Sequence, residues 1–240
     1  MQVIHFKDYT SLSDFAAAET AIAIKNNPSL TLCMASGHTP ALTCELLVKK
    51  LMEEKIDYSK ITFLGLDEWA GLPPTNEGSC HYFFKTKLFA PLALKPSQYF
   101  LFNAMADDFL AECLQMDEQI KKCSGIDIML VGIGMNGHIG FNEPGTSFSS
   151  LSHVATLDEI TKSVGKKYFI KDVELGKGIT IGLGHLLNSK KVFLLANGNK
   201  KAEVIKQTIE GPVTENFPAS VMQQHSNGFI LVDEEAASLL

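Results

Sequence analysis

The chain has 240 residues, of which 45% are hydrophobic and 20% charged. These values are typical of a soluble globular protein, and they exclude an intrinsically disordered chain and a coiled coil. Its net charge of −6 and its lack of a basic run argue against a nucleic-acid partner. The sequence contains no arginine, so any bound anion must be held by lysine ammonium groups, backbone N–H groups or hydroxyls.

Short apolar runs alternate with longer amphipathic segments along the chain. The predicted strands are Val3–Phe6, Leu30–Ala35, Ile61–Leu66, Ile126–Gly132, Val192–Ala196 and Gly228–Val232. The predicted helices are Ser11–Lys25, Pro40–Glu54, Ala106–Cys123 and Lys200–Glu210. This succession predicts an α/β fold with a doubly wound, mostly parallel, Rossmann-like sheet and helices on both faces. We expect residues 1–240 to form a single domain, since no linker or repeat divides them.

Ligands of such sheets bind beyond the carboxyl ends of the strands, so the residues that follow each strand are informative. The second strand leads into Ser36-Gly37-His38-Thr39-Pro40. Thr39 can cap the following helix, and the free N–H groups at a helix start favour an anion. The same residue types also form ordinary turns, so this segment alone leaves both interpretations open.

Two adjacent carboxylates, Asp67 and Glu68, follow the third strand and precede Trp69, the only tryptophan. If the strand continues, the two side chains point to opposite faces, and only one of them faces a cleft. A carboxylate beside apolar surface can gain the basicity of a general base. The alternative is a pair of solvated acids at the end of a strand.

The strand Ile126–Gly132 runs into the glycine-rich segment GIGMNGHIGFNEPG at residues 132–145. Its first glycines match the GxGxxG spacing of dinucleotide-binding sites. In such sites a helix begins at the motif, whereas here Asn142-Glu143-Pro144 would interrupt a helix within a few residues. We therefore interpret the segment as a glycine-shaped pocket wall that carries Asn136, His138 and Glu143. Histidine is the side chain best suited to move protons near neutral pH.

The fifth strand is followed by Asn197-Gly198-Asn199-Lys200-Lys201 at a helix start, where a lysine is unfavourable unless an anion or solvent compensates it. Lys166-Lys167 is a second candidate anion contact, although by itself it would be interpreted as surface. The scattered histidines His5, His153, His185 and His225 suggest no metal cluster.

Cysteine content and the absence of targeting signals indicate a cytoplasmic protein. The five cysteines are odd in number and include no CxxC pair, so neither a disulfide framework nor a cysteine zinc site is expected. The N-terminal residues MQVIHFKDYT lack the apolar core of a secretory signal. No apolar run approaches the ~18 residues of a membrane span, and we expect no membrane partner.

Four of these segments together resemble the amino-sugar-6-phosphate deaminase (isomerase) family, which shares its fold with the 6-phosphogluconolactonases. They are SGHTP at 36–40, LDEW at 66–69, GIGMNGHIGFNEPG at 132–145 and GNKKA at 198–202. The resemblance covers nearly the whole chain, and the glycine-rich signature is long and specific. LDEW, the LP that follows it and the glycine-rich segment look most like the galactosamine-6-phosphate branch.

The resemblance implies the conversion of a hexosamine 6-phosphate, with galactosamine favoured over glucosamine, into a ketohexose 6-phosphate and ammonia, with no cofactor. It implies that Asp67 removes the C2 proton, that His138 opens the sugar ring, and that Glu143 orients and charges His138. The phosphate contacts that it implies are Ser36, Gly37, His38, Thr39, Lys167 and Lys201. Gly134 and Gly137 are expected at the substrate as part of the glycine-shaped wall.

Two positions depart from the glucosamine branch of that family. Asn136 stands where that branch has an aspartate, and an amide can hydrogen-bond to His138 but cannot pair with its charge. We keep Asn136 among the catalytic residues and expect His138 and Glu143 to carry more of the ring opening. Lys167 stands where that branch has an arginine and supplies a point charge without a bidentate fork.

Two other functions stay open at this point. A 6-phosphogluconolactonase would use the histidine to activate water, but the lactonase pattern tends to place an arginine where this chain has Trp69. A non-catalytic sugar-phosphate-binding regulator is favoured only by Asn136. The sequence shows neither the helix pair nor the basic patch that a DNA-binding regulator needs. In each case the expected partner is a small phosphosugar, and a homo-oligomer is possible.

Overall fold

The computed structural model describes residues 1–165 and 176–240, and the elements below are those of these ranges. The strands are β1 (Gln2–Phe6), β2 (Thr31–Met34), β3 (Thr62–Gly65), β4 (Asp67–Trp69), β5 (Tyr99–Phe100), β6 (Ile128–Gly132), β7 (His153–Thr156), β8 (Lys177–Thr180), β9 (Lys191–Ala196) and β10 (Gly228–Asp233). The helices are α1 (Tyr9–Asn26), α2 (His38–Glu53), α3 (Cys80–Phe84), α4 (Phe109–Lys122), α5 (Glu159–Gly165), α6 (Leu183–Asn188) and α7 (Ala202–Glu210).

Seven strands form the central sheet in the order β1-β10-β9-β6-β2-β3-β5, and every neighbouring pair is parallel. The predicted α/β class and all six predicted strands are confirmed, with ends that differ by one or two residues. Two strands that carry predicted site segments, β2 and β6, are direct neighbours in this order. Their loops therefore leave the sheet side by side.

Each central strand feeds two hydrophobic cores, which explains its almost unbroken apolar sequence. In β2, Leu32 and Met34 belong to the core that contains α1 and α2, whereas Cys33 belongs to the core that contains α4 and α7. In β6, Leu130 and Met129 divide in the same way. Because successive side chains of a strand point to opposite faces, a sheet covered on both sides needs apolar residues at every position.

The four predicted helices are confirmed, with starts that differ from the predicted ones by two or three residues. The helix predicted from Ala106 begins at Phe109, because Asp108 accepts hydrogen bonds from the backbone N–H groups of Leu110 and Ala111. The helix predicted from Lys200 begins as a short 3₁₀ turn, Asn199–Lys201, and becomes α-helical at Ala202.

A second, antiparallel sheet of three strands, in the order β4-β8-β7, was not predicted. Its strands have three or four residues, as β2 and β3 do, but they carry no apolar run that would mark them as strands. The chain enters this sheet directly from β3, and Leu66 bonds to both sides of the junction. Its N–H donates to the carbonyl oxygen of Met34 in β2, and its carbonyl oxygen accepts from the N–H of Ile181, which follows β8. As a result, the acidic pair after β3 lies in a strand.

Within residues 1–165 and 176–240, no helix combines the length and the apolar content that crossing a membrane requires. All five cysteine thiols are free, and four of them are buried. One of the buried thiols, Cys80, lies at the first position of α3 and reaches the cavity described next.

Candidate active site

A cavity of about 710 Å³ lies where four adjacent strands, β9, β6, β2 and β3, end. A volume of this order accommodates a small organic ligand. The predicted site residues that line it are Ser36, Gly37, His38, Thr39, Asp67, Gly134, His138 and Lys201. Residues distant in sequence are thus brought to one surface by strand order alone.

The loop after β2 and the first turn of α2 line the cavity. Gly37 has φ +108°, a left-handed conformation that favours glycine, and α2 begins at the next residue. The expectation that Thr39 caps α2 is wrong, because Thr39 lies inside the helix and Gly37 is the N-cap residue. The side-chain oxygen of Thr39 instead donates to the Asn197 side-chain oxygen at 2.8 Å and so connects this loop to the loop after β9. The Tyr9 hydroxyl lies within 3.0 Å of the His38 and Thr39 carbonyl oxygens and fixes the first turn of α2. The result is a rigid helix start suited to an anion.

Lys201 brings a positive charge to the same cavity. It closes the 3₁₀ turn after β9, and its ammonium group donates to the Ile133 carbonyl oxygen at 2.5 Å, which holds it against the loop after β6. The other predicted cationic contact, Lys167, lies outside the described residues. Among the described residues, Lys87 also reaches the cavity wall, where it pairs with Glu45.

The acidic pair separates as strand geometry predicts: Asp67 lines the cavity, and Glu68 points into the protein. Glu68 is 3% exposed, and its carboxylate accepts backbone N–H bonds from Trp69, Cys80 and His81 at 2.8–3.0 Å. These bonds attach the start of α3 to β4. The alternative of two solvated acids is wrong, because one carboxylate is buried and the other faces the cavity.

Asp67 has the protonation behaviour of a base that works near neutral pH. Burial raises the pKa of its carboxyl to about 7, and the negative charge of Glu68 adds to the rise. The Cys80 thiol, 3.6 Å from Asp67 Oδ1, opposes it through a hydrogen bond. Cys80 also accepts a hydrogen bond from the Ser36 hydroxyl at 3.0 Å. A polar chain therefore joins the loop of residues 36–39, called the anion loop below, to the Asp67 carboxylate.

The turn after β6 holds the His138 ring against the backbone, and no helix opens there, as expected. A Cβ atom at Gly134 would lie 2.3 Å from the His138 Cε1 atom, so only glycine allows the ring this position. Gly137 has φ +82°, and a Cβ there would meet the Phe217 ring at 2.4 Å. Gly137 does not line the cavity and shapes the turn, so its contact with substrate stays a prediction.

Asn136 and Glu143 support His138 from behind, and neither lines the cavity. Glu143 Oε2 lies 3.6 Å from His138 Nδ1 and accepts a bond from the Asn136 amide at 2.8 Å. The Asn136 oxygen accepts from the His138 backbone N–H at 3.2 Å. Burial opposes ionisation of Glu143, but hydrogen bonds and charge from His138, with contacts from Thr161 and Asn136, hold the pKa of its carboxyl below its usual value. The Asn136 amide therefore connects the two groups without a charge of its own.

Among the polar residues of the cavity that sequence reasoning missed, Cys80 and Thr161 contact predicted site residues. Both line the cavity, and each contacts a predicted residue: Cys80 contacts Asp67, and the Thr161 hydroxyl lies 3.0 Å from His138 Nδ1. Neither belongs to a recognisable motif. Within residues 1–165 and 176–240, no group of three or more His, Cys, Asp or Glu side chains is placed to hold a metal ion.

Comparison with known proteins places these features in a family. The model of the family "Glucosamine-6-phosphate isomerases/6-phosphogluconolactonase" matches residues 9–231. Glucosamine-6-phosphate deaminase 1 of Bacillus subtilis is 41% identical over 240 residues, which cover 100% of this chain and 99% of the relative.

Solved structures support the same relationship. A monomeric glucosamine-6-phosphate deaminase of known structure is 41% identical, superposes with a TM-score of 0.96 and is covered over 100% of both chains. The 6-phosphogluconolactonase of Trypanosoma cruzi superposes with a TM-score of 0.80, and the match covers 100% of this chain and 96% of that one. Because the two sequences are only 18% identical, this likeness shows a shared fold and nothing more. A homo-oligomer of the present chain stays a prediction.

The raised pKa of Asp67 predicts that Asp67→Asn stabilises the protein at alkaline pH. The pKa of this carboxyl is higher in the folded than in the unfolded chain, so the free energy of unfolding falls as the pH rises from about 4 to about 7. A neutral amide at this position avoids that loss. Urea unfolding at pH 8 should show a gain of about 1–4 kcal/mol. The gain should shrink towards pH 5, and a variant less stable than the wild type at pH 8 would contradict the assignment.

The three bonds to Glu68 predict that Glu68→Gln destabilises the fold. The amide nitrogen of glutamine must face a backbone N–H group, so at least one donor loses its acceptor, at a cost of about 1–3 kcal/mol in unfolding free energy. Chemical denaturation measures the loss. Glu54→Gln, at an exposed glutamate, is the matched control and should change stability by less than about 0.5 kcal/mol. Equal stability of the two variants would contradict the anchoring role of Glu68.

Proposed function

The chain belongs to the family of glucosamine-6-phosphate isomerases and 6-phosphogluconolactonases, and from this membership we propose that it deaminates a hexosamine 6-phosphate. The proposed substrate is glucosamine 6-phosphate, and the products are a ketohexose 6-phosphate and ammonia. The proposal depends above all on one observation, namely that Asp67, His138 and Lys201 line a single cavity.

The phosphate group is proposed to bind at the start of α2. The N–H groups of the Ser36–Thr39 loop and the ammonium group of Lys201 supply donors and positive charge there. Lys167 is proposed as a further contact on the basis of the family resemblance alone. Anchoring the phosphate fixes the position of the sugar in the cavity, so that the end opposite the phosphate reaches Asp67 and His138.

Ring opening is proposed for His138. The imidazole takes the proton of the O1 hydroxyl and returns a proton to O5 as the bond from C1 to O5 breaks, which leaves an open-chain aldehyde. Glu143 and Asn136 are positioning residues in this step, since they contact His138 and do not line the cavity. An ionised carboxylate beside the ring stabilises the positive charge that the imidazole gains.

Asp67 is proposed as the base for the next step. It removes the proton from C2 while O1 takes up a proton, which produces an enolamine. The same carboxyl then returns its proton to C1, and the nitrogen on C2 becomes an iminium group. Water adds to C2, ammonia leaves, and a ketone remains. A carboxyl with a pKa of about 7 can both accept and return a proton near neutral pH.

Glucosamine 6-phosphate is preferred as the proposed substrate because the relatives described above are named for it. The preference for galactosamine 6-phosphate, expected from the sequence, finds no support in those names. The lactonase alternative is not favoured, since the likeness to a lactonase is one of fold at 18% identity. The regulator alternative loses its one argument, because Asn136 connects His138 with Glu143.

The proposed function predicts ammonia release from glucosamine 6-phosphate, with galactosamine 6-phosphate and 6-phosphogluconolactone assayed side by side. Asp67→Asn should lower kcat by at least ~10²–10⁴-fold, because an amide cannot accept the C2 proton. The variant should also lose exchange of the C2 proton in deuterated water, followed by NMR. Lactone hydrolysis without ammonia release would contradict the proposal, and normal exchange in the variant would contradict the role of Asp67.

The proposed phosphate site predicts that Lys201→Gln weakens substrate binding. Loss of one charge-assisted contact should raise KM by ~10–100-fold, with a smaller effect on kcat. Lys200→Gln is the matched control, since Lys200 is the adjacent, exposed lysine and does not line the cavity. Inhibition by inorganic phosphate should weaken in Lys201→Gln only. Equal KM values for the two variants would place the phosphate elsewhere.

A further inference from the structure

The helix α5 contributes one wall of the cavity, and its residues divide by exposure. Ile160 and Val164 line the cavity and are 47% and 37% exposed. Thr161 lines it too but is only 3% exposed, so its hydroxyl is enclosed by protein. A buried hydroxyl needs a hydrogen-bond partner, and the imidazole assigned to ring opening lies within hydrogen-bond distance of it.

Thr161 lies closer to His138 than the carboxylate does. The distance from Thr161 Oγ1 to His138 Nδ1 is 3.0 Å, which is a hydrogen bond. The distance from Glu143 Oε2 to the same nitrogen is 3.6 Å, which is beyond good hydrogen-bond length. The hydroxyl therefore makes the shorter of the two contacts to Nδ1.

Two proton orders fit the 3.0 Å contact: the hydroxyl donates to Nδ1, or an N–H at Nδ1 donates to the hydroxyl. The hydrogen bond from Thr161 to the Glu143 carboxylate, which helps to lower the pKa of that carboxyl, favours the second order. An ionised carboxylate only accepts hydrogen bonds, whereas a hydroxyl donates one and accepts others. With the Thr161 hydroxyl donating to Glu143, its lone pairs accept from the N–H at Nδ1 of His138. The proton of a neutral ring then resides on Nδ1, and Nε2 keeps a lone pair for substrate.

We propose that Thr161 is a positioning residue that holds His138 in the tautomer protonated on Nδ1 and so links the placement of α5 to ring opening. The part about ring opening rests on the proposed function, whereas the tautomer does not. A buried threonine that merely fills space would leave the ring tautomer unaffected by loss of the hydroxyl.

The first test is direct observation of the ring nitrogens. The wild-type protein, labelled with ¹⁵N-histidine and recorded at an alkaline pH where imidazoles are neutral, should show His138 with its proton on Nδ1. His138→Gln identifies the signal among the seven histidines. A proton on Nε2 in the wild type overturns the proposal without any need of a threonine variant.

Thr161→Val provides the second test, because it keeps the shape of the side chain and removes the hydroxyl. The proton of His138 should shift partly to Nε2, and kcat should fall about 10- to 100-fold with KM nearly unchanged. Thr161→Ser restores the hydroxyl and should return both signals. Ser163→Ala removes an exposed hydroxyl from the same helix and should change neither.

The outcomes separate this proposal from the proposed function. An unchanged tautomer in a folded Thr161→Val variant overturns the role of Thr161, whatever the activity. Absence of ammonia release from the wild type overturns the proposed function, and the NMR result still decides the role of Thr161. Inhibition by inorganic phosphate, equal in all folded variants, verifies that the anion loop is intact.

Discussion

The site depends on the opposite directions of two adjacent carboxylates. Glu68 is buried and held by three backbone N–H groups, which fixes β4 and the start of α3 together. Strand alternation then directs Asp67 into the cavity, where burial and the neighbouring charge raise its pKa to about 7. The burial that costs stability at alkaline pH also gives Asp67 a pKa near neutrality, so the basicity of this carboxylate and the energetic cost have one origin.

The second constraint is the order of the strands. Because β9, β6, β2 and β3 are neighbours and parallel, their carboxyl ends place an ammonium group, an imidazole, an anion loop and a carboxylate around one space. Cross-links between the loops fix this convergence. Thr39 contacts Asn197, and Lys201 contacts the carbonyl of Ile133. The cavity walls are therefore joined to one another as well as to the sheet.

Much of the fold and of the site could be predicted from the sequence, because both depend on patterns that are local in the chain. Apolar runs revealed six strands of the central sheet, and the residues after them included eight predicted site residues that line the cavity. The β4-β8-β7 sheet could not be predicted, since its strands carry no continuous apolar run and β4 pairs with a strand more than 100 residues further along the chain. Thr161 escaped detection for a similar reason, because its contact with His138 spans 23 residues and arises only from tertiary packing.

The account depends on Asp67 being a base near neutral pH, and NMR titration of the protein labelled with ¹³C at aspartate side-chain carboxyls measures this directly. Asp67→Asn identifies the resonance by its absence. The account predicts a carboxyl that titrates with an apparent pKa of about 7. A value close to the ordinary aspartate pKa of about 4 would contradict it.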